Sequence, residues 1–150
     1  MKHQILVGMV WLCSLVSVVA QSVPQVIPAL QQWQPAKGKL VLPESGKVIV
    51  SSDEEGILKQ SAEILVQDLK EMFGWNYRVV VGKKEKGAVY LTLSKPDKTL
   101  GDEGYRMDIR NGITIEAPTS KGVFWGTRTL LQMIHNQPEG LMKGLATDFP

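Results

Sequence analysis

Cysteine is all but missing from this chain: Cys13 is the single one in 150 residues. Histidine is nearly as scarce, with only His3 and His135. Neither sign of charge prevails, since 17 Lys and Arg stand against 15 Asp and Glu. Long apolar runs are missing too, apart from one at residues 5–19. That run follows a short positive start, Met1-Lys2-His3-Gln4, and ends on the small residues of Val18-Val19-Ala20. This order is that of a secretory signal peptide spanning residues 1–20. As a membrane span it is short of the roughly 20 apolar residues a bilayer needs, and Leu12 before Cys13 is too large for a lipidation signal.

Removing such a signal takes Cys13 and Lys2 with it. The mature chain then has no disulfide, no thiolate nucleophile and no cysteine-bound metal. Its formal charge falls to +1, which gives no electrostatic case for nucleic acid or an anionic membrane as partner. The expectation is an exported protein, periplasmic, cell-surface or secreted. The lack of disulfides fits a bacterial envelope better than an animal extracellular space. His135 is left as the only histidine, with no second ligand at metal spacing, so no metal site is expected. Its place in the last turn of a helix suits a partial positive charge.

The remaining length suits one domain. Residues 21–39 are rich in Gln and Pro and read as a leader along a surface, with one short extended segment at Val26-Ile27. KLVL and KVIV, around PESG, read as two short strands. Ser52-Asp53-Glu54-Glu55 has the spacing of a capping box. Leu58, Ala62, Leu65, Leu69 and Met72 then follow at the 3–4 spacing of one helical face, and Gly74 stands where a C-terminal cap belongs. YRVVV and AVYLTL read as strands joined by a polar turn, with Lys83-Lys84-Glu85-Lys86 as a solvated hairpin tip. Tyr105, Met107 and Ile109 alternate with charged residues along a strand. Asn111-Gly112 then turns the chain back into Ile113 and Ile115 as an antiparallel hairpin.

A second helix is expected from near Lys121, capped by Thr119 or Ser120. Its stripe comprises Val123, Thr127, Leu130 and Ile134. Gly122 and Gly126 fall four apart on one face. They do not form a phosphate loop, because Thr127-Arg128 follows the second glycine where Lys and a hydroxyl residue are required. Their missing side chains instead let that turn lie close against another backbone. Together these elements predict an α+β fold: two layers, with a mainly antiparallel twisted sheet of five to seven strands and two amphipathic helices on one face.

The run EGYRMDIRNGITIEAPTSKGVFWGTRTLLQMI resembles the small N-terminal domain of glycoside hydrolase family 20, the β-N-acetylhexosaminidases. The likeness is carried by Gly104-Tyr105, Asn111-Gly112, Gly122-Val123-Phe124-Trp125-Gly126 and Thr129-Leu130-Leu131-Gln132. It implies structural or interface roles for Tyr105, Gly122, Phe124, Trp125, Gly126, Thr129, Leu130 and Gln132, and no catalytic, substrate-binding or metal residue in residues 21–150. LATDFP resembles the linker that leads in that family to a catalytic (β/α)8 barrel, which needs about 200 residues or more; the expectation is that no barrel is present. In the family an adjacent Asp-Glu pair on the barrel hydrolyses terminal GlcNAc or GalNAc from glycans without metal or cofactor. There the substrate's own acetamido group acts in place of a protein nucleophile.

Asp102-Glu103 is an adjacent acidic pair, but it reads as a solvated loop with nothing near to bury the Glu and raise its pKa. Asp53-Glu54-Glu55 reads as a helix N-terminus complementing its own dipole. Trp33, Trp75 and Trp125 read as core or interface residues rather than a sugar platform. The function implied is a non-catalytic accessory domain whose partner is the barrel and, through it, a glycan. The alternatives are a free-standing carbohydrate-binding or interaction module, or the same domain before another barrel, such as an α-glucuronidase or an O-GlcNAc-directed hydrolase.

Overall fold

The computed structural model describes residues 22–149; the expected signal peptide lies outside them. The strands are β1 (Gln32–Leu40), β2 (Ser45–Val50), β3 (Asn76–Val81), β4 (Val89–Leu93), β5 (Tyr105–Ile109), β6 (Ile113–Ala117) and β7 (Leu141–Asp148). The helices are α1 (Glu55–Phe73) and α2 (Ser120–Asn136), with a single 3-10 turn at Ser52–Glu54 before α1. All seven strands form one sheet in the order β1-β7-β5-β6-β4-β2-β3. Pairing is antiparallel from β1 through β7 and β5 to β6, and parallel from β6 through β4 and β2 to β3. The expected two-layer α+β architecture, with two helices against a sheet, is the one found.

Alternation explains which face is covered. Tyr105, Met107 and Ile109 on β5, with Ile113 and Ile115 on β6, are buried, while Arg106, Asp108, Thr114 and Glu116 between them are only half-buried. The buried set meets Leu58, Ala62, Leu65 and Leu69 of α1 and Val123, Leu130, Met133 and Ile134 of α2 in one core. Each fully buried Val, Leu, Ile or Met among them contributes about 1.5–3 kcal/mol of transfer free energy. Gly74 closes α1 at φ 71°, and its N–H donates to Leu69 and Lys70 carbonyls. Thr119 caps α2 by accepting from the Gly122 N–H at 3.2 Å.

Four expectations are corrected. The Ser52 capping box is not made: no side chain caps α1. Instead the Glu54 carboxylate accepts the Leu93 N–H at 2.8 Å and the Thr92 hydroxyl at 3.1 Å, tying the helix entry to β4. YRVVV and AVYLTL are not hairpin neighbours, because β2 lies between β3 and β4 and pairs in parallel with both. The lysine-rich turn is therefore a crossover that must return along the sheet to start β4. The leader is not merely extended, since residues 32–40 form edge strand β1 against β7. Leu145, Ala146 and Thr147, read as approaching a linker, lie inside β7, paired on both sides.

The glycine spacing in α2 has a direct steric cause. A Cβ added at Gly122 would overlap the Gly104 carbonyl oxygen and sit 2.7 Å from Ala117 Cβ. One at Gly126 would fall 2.5 Å from Ile115 Cγ2 and 3.2 Å from the Tyr105 ring. Substituting Gly122→Ala is expected to destabilise by about 1–3 kcal/mol, because backbone rather than a flexible side chain must yield. Gly56→Ala in α1 meets nothing within 4 Å and is expected to stabilise by about 0.5–1 kcal/mol. Urea unfolding of the two variants checks both signs; equal effects would remove the close-approach explanation.

Candidate interface on the helix layer

With its glycines turned to the sheet, α2 presents Phe124, Trp125, Arg128 and Gln132 away from it. Trp125 is 47% exposed, and the neighbouring Ile57 of α1 and Ile27 of the leader are 55% and 86% exposed. Phe124 and Trp125 meet edge to face at 5.7 Å between ring centroids. The Arg128 guanidinium lies 4.8 Å from the Phe124 ring centre and 2.5 Å from the Asp68 carboxylate, so one residue joins α2 to α1. Both partners of that pair are three-quarters buried, which sets it apart from exposed ion pairs worth about 0–1 kcal/mol.

Two cavities flank the Trp125 indole. One, of about 450 Å³, lies between the helices against Ile57, Ile64 and Phe124. The other, of about 370 Å³, runs from Ile27 and Pro28 past Arg128 and Gln132 to Asp148 and Phe149. The leader is fastened along this second cavity by side-chain amides. Gln132 accepts the Ile27 N–H at 2.8 Å and donates to the Ile27 carbonyl at 2.9 Å, and Asn136 donates to Gln25 at 2.7 Å.

Beneath this surface Tyr105 is buried under Gly126, its hydroxyl 2.6 Å from that of Thr129 and 3.5 Å from Asp148 Oδ2. Burial pushes the phenol well above its ordinary range. Asp148 is also held above the usual carboxylate range, chiefly by loss of water and only partly offset by the Phe149 and Gln31 backbone and Tyr105 hydrogen bonds. Leu130 is fully buried in the core beside this group. Of the eight residues singled out from the sequence, Phe124, Trp125 and Gln132 reach the outer face. Tyr105, Gly122, Gly126, Thr129 and Leu130 lie beneath it as its support.

The other candidates scatter. Asp102 and Glu103 are exposed in the turn before β5, where the Asp102 carbonyl accepts from the Thr119 hydroxyl and Glu103 borders both cavities. His135 is exposed at the end of α2. Trp33 packs over Gly144 of β7. Trp75 has Phe73 and Tyr77 as aromatic neighbours, with centroids at 5.5 and 6.0 Å, and with Phe73 it borders a separate cavity beside Leu40 and Leu141. The three tryptophans do not converge on one surface. Among the described residues no three His, Cys, Asp or Glu side chains group so as to hold a metal ion, and no helix is long and apolar enough to cross a membrane. Sequence reasoning missed the Arg128–Asp68 link and the part Gln132 plays in fastening the leader. An i, i+4 rule finds neither, because both partners are far apart in the chain.

Comparison with known proteins places the domain in a family. The model of the family described as glycosyl hydrolase family 20, domain 2, matches residues 23–149. Lacto-N-biosidase from Bifidobacterium bifidum is 30% identical over 129 residues, which is 85% of this chain and 11% of that protein. The solved β-N-acetylhexosaminidases of Streptomyces coelicolor A3(2) and Streptomyces plicatus are each 28% identical, with TM-scores of 0.68 and 0.67. Both matches cover 87% of this chain and 27% of the enzyme, so the chain spans about a quarter of these two enzymes and about a tenth of the Bifidobacterium protein.

Linkage gives this site a measurable sign. A carboxyl whose pKa is raised on folding binds its proton more tightly in the folded state. Stability is then fullest below the ordinary carboxylate range and is lost as pH rises toward the raised value. Asp148→Asn keeps the Oδ1 acceptor and removes the charge, so its stability relative to the parent is expected to increase from pH 4 to pH 7. Unfolding midpoints across that range check it; a constant difference would show that Asp148 carries no such penalty.

Proposed function

The chain belongs to the family glycosyl hydrolase family 20, domain 2, and on that footing we propose that it is the non-catalytic accessory domain of an exported β-N-acetylhexosaminidase. In this reading the parent enzyme's (β/α)8 barrel removes terminal GlcNAc or GalNAc from glycans by substrate-assisted hydrolysis. The domain described here supplies a rigid face on which that barrel rests. Glu103 and Asp148 both border the second cavity, but Glu103 is exposed and Asp148 accepts from the Tyr105 hydroxyl and the Phe149 N–H, while Asp102 is exposed and Glu54 is held by hydrogen bonds to β4.

The observation that carries the reading is the half-exposed Trp125 between two cavities, with apolar Ile57 and Ile27 bare beside it. Aromatic residues standing in a desolvatable groove, with an Arg at hand, are what the centre of a protein interface requires. Asp148 and Phe149 line the same groove, so polypeptide continuing from them starts on this face. Trp75 is half-buried and packed beside Phe73 and Tyr77, so it presents less free ring surface than Trp125. Export rests on the sequence of residues 1–20, and sugar preference belongs to the barrel.

Two measurements test this. The 150-residue chain alone is expected to show no turnover of a chromogenic N-acetylglucosaminide, and turnover by it would overturn the reading. In a protein that includes the coding sequence beyond codon 150, Trp125→Ser is expected to cost about 2 kcal/mol or more, as interface tryptophans do, while barely altering the chain alone. An equal loss in both would make Trp125 an ordinary packing residue.

A further inference from the structure

We propose that the sheet face opposite the helices carries a patch for an acidic polysaccharide, built on the crossover between β3 and β4 and on the β5–β6 turn. Because β2 separates β3 from β4, the short segment 82–88 has to run back along the sheet to begin β4 in parallel. It is pinned there by Glu85, whose carboxylate meets Lys47 Nζ at 2.7 Å, and by Gly87, whose N–H donates to the Asn111 carbonyl at 2.6 Å. Lys83, Lys84 and Lys86 are exposed along it.

Their neighbours add to the same sign. Lys47 and Arg78 are register partners on β2 and β3, about 4.8 Å apart at strand spacing, and Arg110 stands at the β5–β6 turn. A cavity of about 340 Å³ opens between Lys84, Lys86, Arg110 and Asn111, with Glu85 and Asp108 also on its wall. The Asp108 carboxylate lies 3.0 Å from Arg110 Nε but off the hydrogen-bond axis, so that contact is mainly coulombic. With Lys47 and Arg110 matched to these two acids, Arg78, Lys83, Lys84 and Lys86 have no carboxylate within salt-bridge distance among the described residues.

The charge of the whole domain is thereby divided. The patch holds six cations against two carboxylates, whereas the other described residues hold ten cations against thirteen carboxylates. A near-neutral total conceals a positive pole. Such a pole attracts a polymer with repeated anionic groups, and the attraction weakens with salt as counterions are released and charges screened. No exposed aromatic stands in the patch for bases to stack on, since Tyr90 is half-buried in β4, and that disfavours single-stranded nucleic acid. The choice of a polysaccharide among polyanions rests on the glycan-directed role proposed above. The surface lies away from the helix layer, so it stays open when that layer is covered.

Retention of the full chain on immobilised heparin, used as a sulfated polysaccharide, tests the proposal. The parent is expected to bind at low salt, and the double variant K84E/K86E to bind about tenfold or more weakly. The control K95E/K98E changes net charge equally at exposed lysines outside the patch and is expected to bind like the parent. Unchanged thermal unfolding establishes that both variants fold. Equal weakening by both doubles would reduce the effect to net charge and sink the patch. So would absence of retention at low salt, or capture by phosphatidylglycerol vesicles without capture by heparin. None of these readouts involves turnover, so the patch and the accessory-domain reading fail independently.

Discussion

The contact between the glycine side of α2 and the β5–β6 hairpin governs the rest of the molecule. Gly122 rests on the Gly104 carbonyl and Gly126 on the Tyr105 ring and Ile115. Gly104 is itself confined, since a Cβ there would lie 2.8 Å from the Asp148 carbonyl oxygen. Three glycines thus stack helix, strand start and final strand at backbone distance. Glycine inside a helix costs about 0.5–1 kcal/mol relative to alanine. The buried Val123, Leu130 and Met133 brought down by the close approach each return about 1.5–3 kcal/mol, so the seating wins.

That seating also fixes what faces outward. A helix lying so low turns its opposite side, with Phe124, Trp125, Arg128 and Gln132, to the surface. It places Thr129 over the Tyr105 hydroxyl, and through it the helix is linked to Asp148 on β7. The outer face is consequently stiff. Arg128 reaches across to Asp68 on α1, and Gln132 holds the leader by both sides of its amide. Preorganised side chains lose less entropy on association, which is consistent with the interface role proposed for this surface.

Much of this was legible in the chain. Local rules located both helices, the Gly74 and Thr119 caps and the Asn111-Gly112 hairpin, because each depends on residues within a few positions. What stayed hidden was pairing. Nothing local in YRVVV and AVYLTL shows that β2 slips between them, and residues 32–40 carry Pro35 and Gly38, which weaken a strand pattern though an edge strand tolerates them. Ser52 and Glu55 had the letters of a capping box, yet the helix entry is held by Glu54 instead, with two donors offered by β4 across 38 and 39 positions of sequence. The Phe124 and Trp125 surface was legible through the family likeness and the helical stripe. Its companions Ile27 and Asp68 were not, since long-range contacts bring them there.

The mislaid pairing matters beyond bookkeeping of strands. Had β3 and β4 formed a hairpin, Lys83, Lys84 and Lys86 would stand at a tip, away from Arg110 and dispersed in solvent. A parallel crossover lays them along the sheet instead, within reach of Lys47 and of the β5–β6 turn. The two faces of the domain thereby acquire different physics. One is apolar and rigid, where desolvation dominates and salt has little influence; the other is charged and wet, where screening over about 8–10 Å decides. A partner driven by burial and a partner driven by charge can therefore be held at once without competing, because the sheet separates their surfaces.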